Sequence, residues 1–118
     1  MSKIAIVILT DVEGNESLGR IVNALTAAKE FKEEGSDVKL VFTGTGTKWI
    51  AELNKSDHKL HALYNELRNE TEGACGFCAD AFGVADSVKT AGVKLLEDYG
   101  PNMSYRELVN SGYQVLTF

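Results

Sequence analysis

The chain has 118 residues, of which 44% are hydrophobic, and this size predicts one domain spanning residues 1–118 with its own apolar core. Its 12 basic and 17 acidic residues give a formal net charge of −5, without the cluster of Lys and Arg that nucleic-acid binding requires. We therefore expect no direct nucleic-acid partner. No segment approaches the length of a membrane span, so we also expect no membrane partner.

The first 42 residues show the pattern of a βαβ unit. The apolar run at residues 4–9 is typical of a strand buried on both faces of a parallel sheet, and it is too short for the apolar region of a signal peptide. Apolar residues at spacings of three and four then predict a helix of about 17 residues. Its N-cap would be Asn15 or Ser17, and Gly35 would lie just past its end. Residues 38–42 supply the second strand.

Residues 44–48, with the sequence Gly-Thr-Gly-Thr-Lys, follow that second strand at the edge where open parallel sheets bind ligands. Gly44 and Gly46 would let backbone N–H groups face an anion, and the segment ends with Lys48. It lacks the third glycine of a dinucleotide-binding motif and the spacing of a phosphate-binding P-loop. A flexible turn and a small-anion site therefore both remain as interpretations.

The next segment is predicted to contain a short helix around residues 49–53 and a longer one over residues 58–69. His58 and His61 would share a face of the longer helix, as metal ligands sometimes do. Two histidines on a solvated face, flanked by Asp57 and Lys59, are the simpler interpretation. We therefore predict no metal site.

The chain's two cysteines, Cys75 and Cys78, form a C-x-x-C motif where a short strand should give way to a helix. Only the thiolate of a cysteine is a good nucleophile, and the positive end of a helix favours it. Gly76 would permit close approach of a donor or partner, and Phe77 would pack under or beside the site. Asp80 is interpreted as a residue of the first helical turn. Without a secretory signal, this cysteine content predicts a reducing, cytoplasmic location.

The remaining residues continue the alternation of helices and strands. We predict short helices over residues 79–84 and 85–91, a strand at residues 92–96, a helix capped by Ser104 and a final strand at residues 113–118. The whole pattern predicts an α/β fold, a three-layer α/β/α sandwich on a mainly parallel five-stranded sheet.

Several kinds of chemistry are consistent with the C-x-x-C motif. One interpretation is that both cysteines serve only as small buried apolar residues, a common fate of free cysteine. A structural zinc site needs four ligands, and the chain offers only these two thiols and two distant histidines. Thiol–disulfide exchange fits the spacing, with Cys75 attacking and Cys78 resolving. A thioredoxin-type motif, however, usually follows the first strand, whereas at least two strands precede this one.

The motif also has a more specific resemblance. Cys75-Gly76-Phe77-Cys78 running on to Gly83-Val84, with this order of elements and this chain length, resembles the DsrE/DsrF-like family, which includes YchN-like proteins and the sulfur-relay subunits of tRNA thiolation. In that family a cysteine follows the third strand and a Gly-hydrophobic pair comes eight residues later, which is the spacing from Cys75 to Gly83. The family often has Arg just before that glycine, where this chain has Phe82.

The resemblance implies a cytosolic homo-oligomer, a trimer or hexamer, with partner proteins that donate or accept sulfur. It leads to our first hypothesis, a sulfurtransferase-like relay protein in which Cys75 accepts persulfide sulfur and Cys78 either resolves it or protects Cys75. A second hypothesis is a non-catalytic oligomeric module that binds a small anion near residues 44–48. A third is a dithiol redox protein using Cys75 and Cys78. We expect no cofactor.

Overall fold

A five-stranded sheet forms the centre of the computed structural model, which describes residues 2–118. Its strands are β1 (Lys3–Ile8), β2 (Asp37–Phe42), β3 (Thr71–Cys75), β4 (Leu95–Leu96) and β5 (Gln114–Thr117). Within the described residues the α-helices are α1 (Asn15–Glu34), α2 (Trp49–Leu53), α3 (His61–Asn65), α4 (Gly76–Ala81), α5 (Ala85–Thr90) and α6 (Tyr105–Asn110). Two 3₁₀ helices, Gly44–Lys48 and Arg68–Glu70, complete the connections.

The strand order is β4-β3-β2-β1-β5, and every pairing is parallel. The connections from β1 through β4 all move across the sheet in one direction. Because such crossovers are right-handed, they place their helices on the same face. The connection from β4 to β5 runs the opposite way and places α6 on the other face. The predicted three-layer α/β/α architecture is confirmed. The sheet is entirely parallel, and α6 forms the helical layer on the face opposite the other helices.

Strand β1 is buried on both faces, as its unbroken apolar run predicts. Alternate residues contribute to two cores, because successive side chains of a strand point to opposite faces. Ile4, Ile6 and Ile8 pack in the larger core with α1, whereas Ala5 and Val7 lie in the smaller core. That smaller core also contains Val41 of β2, Cys75 of β3, Leu96 of β4 and Leu108 of α6, together with Met103 and Tyr113 from the segments before and after α6.

Helix α1 is longer than predicted, with 20 residues, and its N-cap is Gly14 rather than Asn15 or Ser17. Gly14 has a φ of 94° and the cap has no side-chain hydrogen bond, so the polar residues that the sequence offered as caps lie inside the helix. The predicted end is correct: Gly35 adopts the left-handed conformation, and its N–H donates to the carbonyl of Lys32.

The predicted helix over residues 58–69 is wrong. The helical segment there is α3, which spans five residues, and turns precede it. His58 lies in these turns, where its Nδ1 accepts from the N–H of Leu60 at 3.0 Å. His61 Nδ1 donates to the carbonyl of Leu53 at 2.7 Å. These local bonds use side chains to close the turns, so the two histidines do not share a helical face.

The remaining boundaries differ by a few residues. Strand β4 has two residues instead of the five predicted, and it pairs only with Ala74 and Cys75 of β3. Strand β5 lies within its predicted range. No helix formed by residues 2–118 combines the length and the apolar character needed to cross a membrane. The same residues contain no cluster of three or more His, Cys, Asp or Glu side chains arranged to hold a metal ion.

Candidate functional site

Cys75 is the last residue of β3 and lies beside Leu96, the last residue of β4. The chain leaves β3 towards α4, which contributes Ala79 to the larger core, and leaves β4 towards α6 on the opposite face. Open α/β sheets bind ligands where neighbouring strands send their connections to opposite faces. The topology therefore places Cys75 at the position in the sheet where a ligand crevice is expected.

The sulfur of Cys75 is enclosed by the protein, and the residue is only 1% exposed. The backbone N–H of Met103 points at its Sγ at 3.5 Å, and Asn102 Oδ1 lies 3.9 Å from the same atom. The buried side chain of Thr43, which follows β2, lies on the same site. Three segments that are distant in sequence thus meet at Cys75.

Burial raises the pKa of the Cys75 thiol, but hydrogen bonds to the sulfur outweigh this effect. The N–H of Met103 donates to the sulfur at 3.5 Å, and the nearby N–H and thiol of Cys78 and hydroxyl of Thr43 also favour the thiolate and lower the pKa. The resulting pKa lies below the ordinary value of 9.0. Because the thiolate is the nucleophilic form, this arrangement activates Cys75.

A tight turn covers Cys75. Tyr99 and Asn102 exchange two backbone hydrogen bonds, of 2.8 and 3.0 Å, around Gly100 and Pro101, and Gly100 takes a φ of 58°. The turn is attached to α4 by the N–H of Phe77, which donates to the carbonyl of Pro101 at 2.7 Å. We call residues 99–104 the covering segment.

Gly76 allows this close approach. A Cβ atom there would lie 2.9 Å from Glu97 Cγ and 3.2 Å from the carbonyl oxygen of Pro101. Gly76 was predicted to permit close approach of another group, and in this structure the group that approaches it is the protein's own segment around Glu97 and Pro101. Whether Gly76 also admits a donor or partner stays a prediction.

Helix α4 begins at Gly76, directly after Cys75, instead of at residue 79 as predicted. Cys78 is therefore inside the helix, partly exposed, with its Sγ 3.6 Å from Thr43 Oγ1. Asp80 lies near the end of α4, so its predicted place in the first turn is wrong. Phe77 was expected to pack under or beside the site, but its side chain is 53% exposed and faces solvent.

The segment Gly44–Lys48 is a 3₁₀ helix rather than a flexible turn. Gly46 is buried and its N–H donates to the carbonyl of Thr43 at 2.9 Å. Lys48 Nζ lies 3.3 Å from Asp11 Oδ1 and 5.4 Å from the centre of the Phe82 ring. These contacts give Gly46 and Lys48 structural roles, while anion binding at Gly44, Gly46 and Lys48 stays a prediction.

The sequence pattern did not identify three contacts of Cys75. Thr43 could have been found, because it follows β2, the neighbour of β3, and the carboxyl ends of parallel strands meet at one edge. Asn102 and Met103 gave no signal. Met103 acts through its backbone N–H, which every residue except proline carries.

The family model described as the DsrE/DsrF-like family matches residues 2–118, essentially the whole chain. The chain belongs to the DsrE/DsrF-like family. Among curated proteins it is similar to the uncharacterized protein MJ0733 of Methanocaldococcus jannaschii, with 25% identity over 115 residues that cover 97% of this chain and 93% of the relative.

A solved structure of another uncharacterised protein supports the DsrE/DsrF-like chain's fold. The conserved protein of unknown function BT1422 from Bacteroides thetaiotaomicron superposes with a TM-score of 0.63 and 18% identity, covering 97% of this chain and 94% of that one. At this identity the likeness concerns the fold alone. The family model thus shows the family, and the solved structure supports the architecture.

In this DsrE/DsrF-like protein, Thr43→Val should raise the pKa of Cys75. Valine has a similar shape but no hydroxyl, so the buried thiolate loses one of its hydrogen bonds. We would measure the ultraviolet absorbance of the thiolate against pH in a Cys78→Ser background, where Cys75 is the only thiol that titrates. The midpoint should move to higher pH.

Thr45→Val provides the matched control, because the Thr45 hydroxyl donates to the carbonyl of Leu9 at 2.9 Å instead of contacting a cysteine. Its midpoint should equal that of the parent. An unchanged midpoint in Thr43→Val would show that the hydroxyl does not stabilise the Cys75 thiolate.

Proposed function

We propose that this protein is a sulfur-relay, sulfurtransferase-like protein that carries sulfane sulfur as a persulfide on Cys75. The observation that carries the proposal is the position of the Cys75 sulfur: it lies where the connections after β3 and β4 diverge to opposite faces, with the N–H of Met103 directed at it at 3.5 Å. Membership of the DsrE/DsrF-like family supports it. The two uncharacterised relatives contribute no assignment of pathway or partner.

The transfer requires one nucleophilic substitution. The Cys75 thiolate attacks the outer sulfur of a donor persulfide, a new S–S bond forms, the S–S bond of the donor breaks, and the donor leaves as its thiolate. No external oxidant or reductant takes part, because the outer sulfur moves from one thiol to another. The N–H groups at the site are suited to hold the negative charge of the transferred sulfur.

The DsrE/DsrF-like family often has Arg at the position of Phe82. In this chain, therefore, that position supplies no cation to stabilise a negatively charged sulfur. Lys48 lies over the Phe82 ring, with its Nζ 5.4 Å from the ring centre and 3.3 Å from Asp11 Oδ1. The hydrogen bonds to Cys75 come instead from backbone N–H groups and from the side chains of Thr43 and Cys78. The proposed carrier therefore relies on neutral donors.

The proposal is tested by incubating Cys78→Ser with inorganic polysulfide and measuring the intact mass. We expect a gain of one sulfur atom, mapped to Cys75 and removed by a thiol reductant. The double variant Cys75→Ser, Cys78→Ser is the control and should gain nothing. A gain that occurs in Cys75→Ser but is absent from Cys78→Ser would assign the chemistry to Cys78 instead. No gain in any variant would refute the proposal.

A dithiol redox protein is the second candidate, favoured by one observation: the Cys78 thiol is close enough to hydrogen-bond to the Cys75 thiolate. Oxidation to a Cys75–Cys78 disulfide at a reduction potential in the cytosolic range, without sulfur transfer, would favour it. The anion-binding module near residues 44–48 stays a prediction. The homo-oligomer, a trimer or hexamer, its sulfur donor and acceptor partners, and the cytoplasmic location stay predictions.

A further inference from the structure

The two cysteines of the site differ in their access to solvent. Cys75, the proposed carrier, is 1% exposed, whereas Cys78 is partly exposed on α4. A donor that approaches the folded protein therefore meets Cys78 first. If sulfur entered directly at Cys75, Cys75 would have to be the more accessible of the two cysteines, and it is the less accessible one.

The shielding of Cys75 comes from opposite sides. The covering segment contacts its sulfur through Met103 and is attached to α4 by the hydrogen bond from Phe77 to Pro101. Thr43, itself only 5% exposed, follows β2 and lies between the two cysteines: its hydroxyl is 3.6 Å from Cys78 Sγ and also lowers the pKa of Cys75. A bulky donor cannot bring its persulfide to Cys75 without displacing one of these groups.

Cys78 is placed to connect the solvent with Cys75. Its Sγ lies 3.6 Å from Thr43 Oγ1, its side chain packs against the small cluster that contains Cys75, and it lies close enough to lower the pKa of the Cys75 thiol. Cys75 and Met103 of the covering segment belong to the smaller core, and Cys78 packs against it. A group carried on Cys78 would therefore be next to Cys75 without any opening of that segment to admit a second molecule.

We propose that Cys78 is the entry point for sulfur: it takes the sulfane sulfur from a bulky donor, a peptide or protein persulfide, and passes it to the shielded Cys75. This inference rests on the proposed function, because it assumes that Cys75 is the carrier. It assigns Cys78 a transient role in loading, in place of the resolving or protecting role.

Two substitutions describe the pathway. First, the Cys78 thiolate attacks the outer sulfur of the donor persulfide, whose S–S bond breaks as the donor thiolate leaves. Second, the Cys75 thiolate attacks the outer sulfur of the Cys78 persulfide, forming a new S–S bond while Cys78 leaves as a thiolate. Each step forms one S–S bond and breaks another, so neither requires an oxidant or a reductant. The second step is intramolecular, which gives it a high effective concentration.

The test compares a bulky and a small donor, glutathione persulfide and inorganic polysulfide, by timed quenching and mapping of the persulfide. In Cys78→Ser, we expect loading of Cys75 by glutathione persulfide to slow about tenfold or more relative to wild type, while loading by polysulfide stays within about threefold. In Cys75→Ser, sulfur from glutathione persulfide should accumulate on Cys78 at the wild-type rate.

Cys78→Ala separates an entry role from a tuning role. Serine keeps a hydroxyl that can hydrogen-bond to the Cys75 thiolate, whereas alanine removes it. If Cys78 transfers sulfur, both variants should be slowed to the same extent with glutathione persulfide. Ser behaving like wild type while Ala is slowed with both donors would instead assign Cys78 a positioning role and overturn the inference. Circular dichroism and thermal unfolding would verify that both variants are folded.

The remaining outcomes distinguish this inference from the function on which it depends. Wild-type loading of Cys75 in Cys78→Ser by glutathione persulfide would overturn the entry role and leave the carrier intact. Release of hydrosulfide with formation of a Cys75–Cys78 disulfide would also overturn it, since Cys75 would then have attacked the inner sulfur. No loading of Cys75 by either donor, with Cys78 still loaded in Cys75→Ser, would refute the carrier function itself.

Discussion

Gly46→Ala should lower the free energy of unfolding by about 3 kcal/mol or more. The added Cβ would lie 2.1 Å from the carbonyl oxygen of Ile8 and 2.7 Å from its carbonyl carbon. That carbonyl accepts from the N–H of Thr43 at 3.0 Å, and Ile8 belongs to β1, which is paired on both sides. The backbone has no room to withdraw, so we expect the clash to separate the 3₁₀ helix from the sheet.

Gly19→Ala is the matched control for this substitution. Gly19 lies on the exposed side of α1, and apart from the adjacent residues and the helix's own backbone no heavy atom lies within 4 Å of the Cβ position. Alanine there should raise the stability by about 0.5–1 kcal/mol, because glycine weakens a helix interior. Urea denaturation followed by circular dichroism measures both variants. A loss below about 1 kcal/mol in Gly46→Ala would show that the close approach does not explain this glycine.

Trp49→Ala should lower the free energy of unfolding by about 3–5 kcal/mol. The side chain is 2% exposed, and its indole N–H donates to the carbonyls of Thr10 and Asp11 at 3.0 and 3.1 Å. Alanine would leave a cavity in the larger core and remove the donor shared by two carbonyls of the loop after β1. Unfolding should be followed by circular dichroism, because the substitution removes the chain's single tryptophan and with it the usual fluorescence signal.

Trp49→Phe separates the two contributions, since phenylalanine keeps much of the apolar volume without the N–H. Its cost should be smaller, about 1–3 kcal/mol. Val109→Ala, which shortens a side chain that is 59% exposed on α6, should change the stability by no more than about 0.5 kcal/mol. Equal costs for Trp49→Phe and Trp49→Ala would mean that the indole N–H, and not the packing, supplies the stabilisation.

The architecture could be predicted because it depends on patterns repeated along the chain. The apolar run of β1, the long periodic stretch of α1 ending at Gly35 and the alternation of elements each indicate a buried parallel sheet. Handedness then fixes which face each connection covers. These features are determined by local sequence and by general rules of packing, so tertiary contacts only adjusted their ends.

The predicted helix over residues 58–69 failed for a physical reason. Leu60, Leu63, Tyr64 and Leu67 have helical spacing, and Tyr64 and Leu67 are buried, so the period correctly marked apolar positions. The backbone around them nevertheless forms turns, which the ring nitrogens of His58 and His61 help to close. Apolar spacing alone does not distinguish a continuous helix from successive turns that bury the same side chains.

At the site, the motif running from Cys75 to Gly83 carried the resemblance to the family. The pattern also correctly placed Cys75 where a strand gives way to a helix. The start of α4 was misplaced by three residues, because Gly76 and Phe77 are weak helix formers and the N-cap is Cys75. The shielding of Cys75 could not be predicted. It depends on a turn more than twenty residues away in sequence, whose contact with the sulfur is made by a backbone N–H.

The two-residue length of β4 has a consequence for timing. This strand lies at the edge of the sheet, pairs with β3 at Ala74 and Cys75, and leads directly into the residues that cover the sulfur. Local openings break only the interactions they involve, so this edge can fluctuate while β1 and β2 remain paired. We therefore expect the rate at which Cys75 becomes accessible to follow local opening of this short edge strand, and to depend little on the protein's global stability.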